Sequence, residues 1–121
     1  MAAQTATAGA PADEKPGGAE RSACCSLYHE AIELIGKRWT GAILIVLMDG
    51  SLHFSEIREL VTDISDRLLS ERLKELESEG IVERRVIDGA PVRVEYSLTP
   101  KGAALEPAVR SLKSWAHEWR A

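Results

Sequence analysis

At Gly80 the spacing of apolar residues changes period. Before it, Leu69, Leu73 and Leu76 recur three and four apart, which predicts an amphipathic helix through RLLSERLKELESE with a leucine stripe facing a core. After it, IVERRVI and VRVEYSL are rich in β-branched residues and flank Asp88-Gly89-Ala90-Pro91, the signature of two strands joined by a hairpin turn. The helix and the hairpin adjoin directly, with Gly80 as the helix stop.

Upstream, Ser65 stands where an N-cap belongs and Asp66 adds charge suited to a helix start, so the helix is expected over residues 65–79 and the hairpin over 81–98. Phe54, Ile57, Leu60 and Val61 mark a shorter amphipathic helix. Thr62-Asp63-Ile64 connects the two, and a pair of helices joined by so short a turn is a helix-turn-helix unit. WTGAILIVLM, residues 39–48, is almost wholly apolar and predicts a helix buried on most sides. Leu27, Ala31, Leu34 and Ile35 predict another, stopped at Gly36. Residues 1–23 hold one large apolar side chain, Met1, and are expected to form a disordered tail ahead of a single domain over residues 24–121.

After Thr99-Pro100-Lys101-Gly102, the residues Leu105, Val109, Leu112, Ala116 and Trp119 draw a long apolar seam, predicting one helix over 102–120. That seam fits dimerisation, alongside the first helix, or packing on the chain's own core. The fold class is therefore mostly α (α+β), a winged helix-turn-helix with a β-hairpin wing and N- and C-terminal dimerisation helices.

Composition narrows the function classes. The net charge is −4, and residues 65–101 carry seven Lys or Arg against eight Asp or Glu, so any DNA-binding face must be local rather than general. No run of eighteen apolar residues and no basic-then-apolar start is present, so the chain is expected to be soluble and cytoplasmic, with no membrane partner. Cys24 and Cys25 are adjacent, too close for an ordinary intrachain disulfide framework or a CxxC metal knuckle. His29-Glu30 lacks the second His of a zinc-protease helix, since position 33 is Glu33. Gly36-Lys37 lacks the glycine and hydroxyl residue of a phosphate loop. No nucleophile, base and orienting group assemble, so no catalytic residue, metal or cofactor is expected.

Four stretches, GKRWT, FSEI, ISDRLLSERLKELE and RVEYSLTPKG, occur in an order and spacing that resemble the HxlR-type family of bacterial winged-helix regulators, which is related to the MarR-type proteins. The resemblance spans about Leu27 to Trp119. It implies a homodimer on a pseudo-palindromic double-stranded DNA operator, acting as a transcriptional regulator, chiefly a repressor, and without catalysis. Some relatives sense quinones, aldehydes or oxidants through an N-terminal thiol, which makes Cys24 and Cys25 candidates for redox or electrophile sensing. Cys25 falls about one residue earlier than the family's usual position, which Ser26 takes. Two thiols without a signalling role are the alternative.

With the leucines inward, Arg67, Ser70, Glu71 and Lys74 lie on the opposite side of the second helix. Arg67, Ser70 and Glu71, in its first turns, are candidates for base readout, Lys74 for a phosphate, and Ser65 for presenting backbone N–H groups to one. A solvated face with internal pairs such as Arg67 with Glu71 is the competing reading. In the hairpin Arg93 is the leading candidate for backbone or minor-groove contact, with Arg84 and Arg85 on the partner strand. Lys37 and Arg38 are candidates for phosphate contact or solvated end charges. Against operator binding stands one other class, a winged-helix module for protein or RNA.

Overall fold

The structure is a computed structural model that describes residues 25–121, so the expectations for residues 1–23 and for Cys24 lie outside the described residues. The chain divides into two units, Met1–Ile32 and Glu33–Ala121.

The described part of the first unit is the start of α1 (Ser26–Ile35). Its entry is marked by the His29 N–H donating to the Cys25 carbonyl at 2.9 Å. Leu27, Tyr28 and Ile32 are exposed, three large apolar side chains along one short helix.

In the second unit, α2 (Thr40–Leu47) precedes a two-residue strand β1 (Leu52–His53), then α3 (Phe54–Leu60) and α4 (Asp66–Ser78). The hairpin follows as β2 (Val82–Ile87) and β3 (Arg93–Leu98), then α5 (Pro100–Ala103) and α6 (Glu106–Trp119). The sheet is antiparallel in the order β1-β3-β2, with Arg84 opposite Tyr96 and Arg85 opposite Glu95. Ile43, Leu44 and Leu47 of α2, Ile57 of α3, Leu69, Leu73 and Leu76 of α4, and Val82 and Tyr96 of the sheet form one buried core. The leucine stripe thus faces inward, leaving Arg67, Glu71 and Lys74 on the exposed side of α4.

Both ends of α4 are fixed by their own residues. Ser65 Oγ accepts from the Leu68 N–H at 3.1 Å, the expected N-cap. At the other end Gly80 takes a left-handed φ of 74°, the Ile81 N–H donates to the Leu76 carbonyl at 2.9 Å and the Gly80 N–H to the Glu77 carbonyl at 3.0 Å. That paired closure is the Schellman motif, and a Cβ at Gly80 would strain it. Asp63, at φ 73°, makes the tight turn between α3 and α4; short Asx side chains tolerate this region better than most.

Two elements differ from the sequence reading. β1 was not expected; it pairs Leu52 with Tyr96 and His53 with Glu95, joining the hairpin to the start of α3. The single terminal helix over 102–120 is instead two helices interrupted at Ala104 and Leu105. Pro107, in the first turn of α6, has no N–H to give and crowds the preceding turn, so a continuous helix through it is disfavoured.

The junction of hairpin and C-terminal helices rests on Thr99-Pro100-Lys101-Gly102. Thr99 Oγ1 donates to the Gly80 carbonyl and accepts from the Gly102 N–H at 3.1 Å, while the Thr99 N–H donates to the Ile81 carbonyl at 3.0 Å. Lys101 Nζ donates to the Glu79 carbonyl at 2.6 Å, capping the last turn of α4 with positive charge. Farther on, Arg110 of α6 bonds Glu106 and reaches Asp49, beyond α2, at 3.2 Å; the bond to Glu106 is the main cause holding its guanidinium pKa above the ordinary value.

Candidate nucleic-acid interface

The outer side of α4 carries charge without burial. The Arg67 side chain is 89% exposed and pairs with Glu71 at 3.4 Å, one helical turn on. At that exposure the pair contributes little to stability, so Arg67 can exchange Glu71 for another acceptor at small cost. Ser65, Arg67, Leu68 and Glu71 together line a shallow hollow at the start of the helix. Arg58 of α3 bridges to Asp66 at 3.4 Å, tying the two helices of the unit at the same end.

Ser70 and Lys74 line a different hollow from Arg67 and Glu71. Each step along a helix turns 100°, which puts Ser70 a quarter turn from the leucine stripe and Lys74 somewhat farther round. Both line a hollow of about 380 Å³ between α4 and the sheet, with Arg84, Tyr96 and Val94. Ser70 is half-buried there and Lys74 exposed.

Arg93 opens β3 and is exposed. It lines a neighbouring hollow of about 600 Å³ with His53, Ser55 and Glu56 from the start of α3, and with Val92 and Val94. Glu56 Oε1 there accepts from the His53 N–H at 2.8 Å, fixing the first turn of α3, while His53 Nδ1 is buried without a partner. The two hollows share Phe54 and Val94 as a dividing wall. Arg85 is different: it pairs with Glu95 at 3.0 Å across the strands.

Lys37 and Arg38 precede α2 and are already engaged. Lys37 Nζ lies 3.3 Å from Glu75, and the Arg38 guanidinium stands 4.8 Å from the centre of the Trp39 ring, within cation–π range. The Arg38 carbonyl accepts from Arg72 Nε at 3.0 Å, and Arg72 also pairs with Glu75 at 3.3 Å. With its side chain only 17% exposed, Arg72 is a brace between α4 and the turn before α2.

Sequence reasoning put Arg84 behind Arg93. The signal that raises it is the strand register: Arg84, two residues after the buried Val82 and opposite the buried Tyr96, shares their face of the sheet. Cys25 is exposed immediately before α1. Among the described residues no group of His, Cys, Asp and Glu could hold a metal ion, and no helix is long and apolar enough to cross a membrane.

Comparison with known proteins agrees with this architecture. Residues 34–121 match the family described as HxlR-like helix-turn-helix. The chain is 48% identical over 99 residues to the uncharacterized HTH-type transcriptional regulator YvaP of Bacillus subtilis strain 168, covering 82% of this chain and 92% of that one. It is similar to the solved structure of quinone-bound YodB from B. subtilis, at 45% identity and a TM-score of 0.69, covering 79% of this chain and 100% of that one. The redox regulator HypR in its reduced form is similar at 39% identity and a TM-score of 0.75, covering 78% of this chain and 94% of the other.

Proposed function

We propose a working mode from this premise: the chain belongs to the HxlR-like helix-turn-helix family and is a DNA-binding transcriptional regulator. Two copies associate through α6 and α1 and sit on a pseudo-palindromic operator, each placing α4 in the major groove. Two recognition helices on one face of a duplex stand about 34 Å apart, one turn of B-form DNA. The observation that carries this is the outward side of α4, whose capped start presents Arg67 almost fully to solvent while the leucines hold the helix rigidly from behind.

On this reading Arg67 bonds a guanine edge, Ser70 and Glu71 read adjacent bases, and Ser65 offers the helix start to a phosphate. Lys74 and Arg93 neutralise phosphates. Lys37 and Arg38 flank the duplex as weaker contributors, because Glu75 and Trp39 already compete for them. The outcome is repression of a nearby gene in the cytoplasm.

The test is a gel shift on the DNA upstream of the chain's own gene across a salt series. Affinity should fall steeply with salt. Arg67→Ala should cost about 1–3 kcal/mol on the operator and relax preference at one base pair, whereas Arg93→Ala should weaken all duplexes alike. A flat salt response removes the phosphate contacts from the reading.

We extend the same reading to an effector. Cys24 and Cys25 are candidate sensors of an oxidant or quinone-like electrophile. The supporting observations are the exposure of Cys25 beside a helix start and the similarity to quinone-bound YodB. Treatment with diamide, which takes two hydrogens from a pair of thiols as they join, should give a disulfide-linked species in intact-mass spectra and change operator affinity. Unchanged mass and affinity would exclude the sensor.

A further inference from the structure

We infer that Lys74 of α4 and Arg84 of β2 act as a two-pronged clamp on a single backbone phosphate of the bound duplex, seated in the hollow between recognition helix and wing. The inference rests on the DNA-binding reading and adds to it a residue and a geometry. Three observations carry it. Lys74 and Arg84 come from different elements yet line one hollow of about 380 Å³, with Ser70 and Tyr96 beside them. At about 30 Å³ per water, that space admits a phosphate group with part of its hydration.

Secondly, among the described residues neither cation takes part in an ion pair, in contrast to Arg67, Arg72 and Arg85. Their charge is available to a ligand without breaking an existing contact. Glu77 also lines the hollow and offsets one of the two charges. The balance is close to one positive charge, which matches a singly charged phosphodiester and fits a multiply charged ligand less well.

Thirdly, the position is fixed. Tyr96 is buried and pairs in register with Arg84, and Leu73, beside Lys74 in the chain, is fully packed in the core. A guanidinium supplies a planar fork of donors and an ammonium a point charge, a complementary pair for one tetrahedral anion. Arg93 lies beyond the wall of Phe54 and Val94 and would meet a different phosphate.

The test uses the full chain and a duplex enriched from a random pool by the chain itself, with binding measured from 0.05 to 0.4 M salt. Each neutralised phosphate contributes about 0.9 to the slope of log affinity against log salt. Since one phosphate is shared, the Lys74→Ala/Arg84→Ala double variant should lose about 0.9 of slope in total, or roughly eightfold in affinity at 0.1 M salt relative to 1 M. Arg84→Lys should keep the slope, and Arg85→Ala, whose partner is Glu95, should leave it unchanged. Thermal melts equal to the parent show that the variants fold. A double variant with the parental slope overturns the clamp, and a loss of about 1.8 replaces it with two separate phosphates. Failure to enrich any duplex would instead overturn the DNA-binding reading itself.

Discussion

Gly102→Ala should destabilise the protein by about 1–3 kcal/mol and lower Tm by about 5–20 °C, measured by thermal melting. Propensity alone gives the opposite sign, since alanine within a helix is favoured over glycine by up to about 1 kcal/mol. Packing decides against it. A Cβ at Gly102 would be driven into the Ile81 carbonyl oxygen, with the Ile81 carbonyl carbon and Cγ2 each 3.1 Å away. The obstructing group is backbone, and its carbonyl already accepts from the Thr99 N–H, so it cannot turn aside without loss. Gly41→Ala is the control: it lies in α2 with nothing within 4 Å of the new Cβ, and should be neutral or slightly stabilising. An unchanged or raised Tm for Gly102→Ala would refute the close-approach account of this glycine.

In the proposed dimer, Leu112→Asp combined with Trp115→Asp should convert the protein from two-chain to one-chain mass in sedimentation while the thermal melt of the folded unit persists at low concentration. Leu112, Trp115 and Trp119 are 65%, 52% and 68% exposed, so an isolated subunit loses little core on their replacement. In a pair of chains, burial of the surface these three still expose on both copies would supply about 6–11 kcal/mol at about 1.5–3 kcal/mol per fully buried large side chain, comparable to an association cost of about 4–15 kcal/mol. Separating the subunits removes the linkage between two half-sites, so operator affinity should fall by about 10²–10⁴ without any change to a DNA-contacting residue. A variant that stays two-chain would refute α6 as the joining surface. One that separates yet binds the operator as before would refute the paired-site mode.

Elements of high periodicity were legible in the sequence. Leu69, Leu73 and Leu76 placed one side of α4 in the core, and Ser65 and Gly80 marked its ends because capping is local chemistry. β1 was not legible: two residues, Leu52 and His53, have too little alternation to signal a strand, and only pairing with β3 makes them one. The break before α6 was masked by the regular spacing from Leu105 to Trp119, although Pro107 carried the warning. The candidate site was legible as a helix face but not as a surface. A wheel projection grouped Ser70 and Lys74 with Arg67 and Glu71; the sheet packed beside α4 puts the first two in a hollow with strand residues, while the others line a separate hollow at the start of the helix. Which arginines were already spoken for depended on tertiary partners, as Arg72 with the Arg38 carbonyl and Arg85 with Glu95 illustrate.

The bolts at Thr99 and Lys101 bear on how a signal could travel. They fasten the exit of α4 to α5 through three carbonyls, those of Glu79, Gly80 and Ile81, and the break at Ala104 and Leu105 falls only beyond that junction. A tilt of α5 would therefore turn α4 with it as a lever turns about its fulcrum, and in the proposed dimer would change the span between the two reading heads rather than the shape of either.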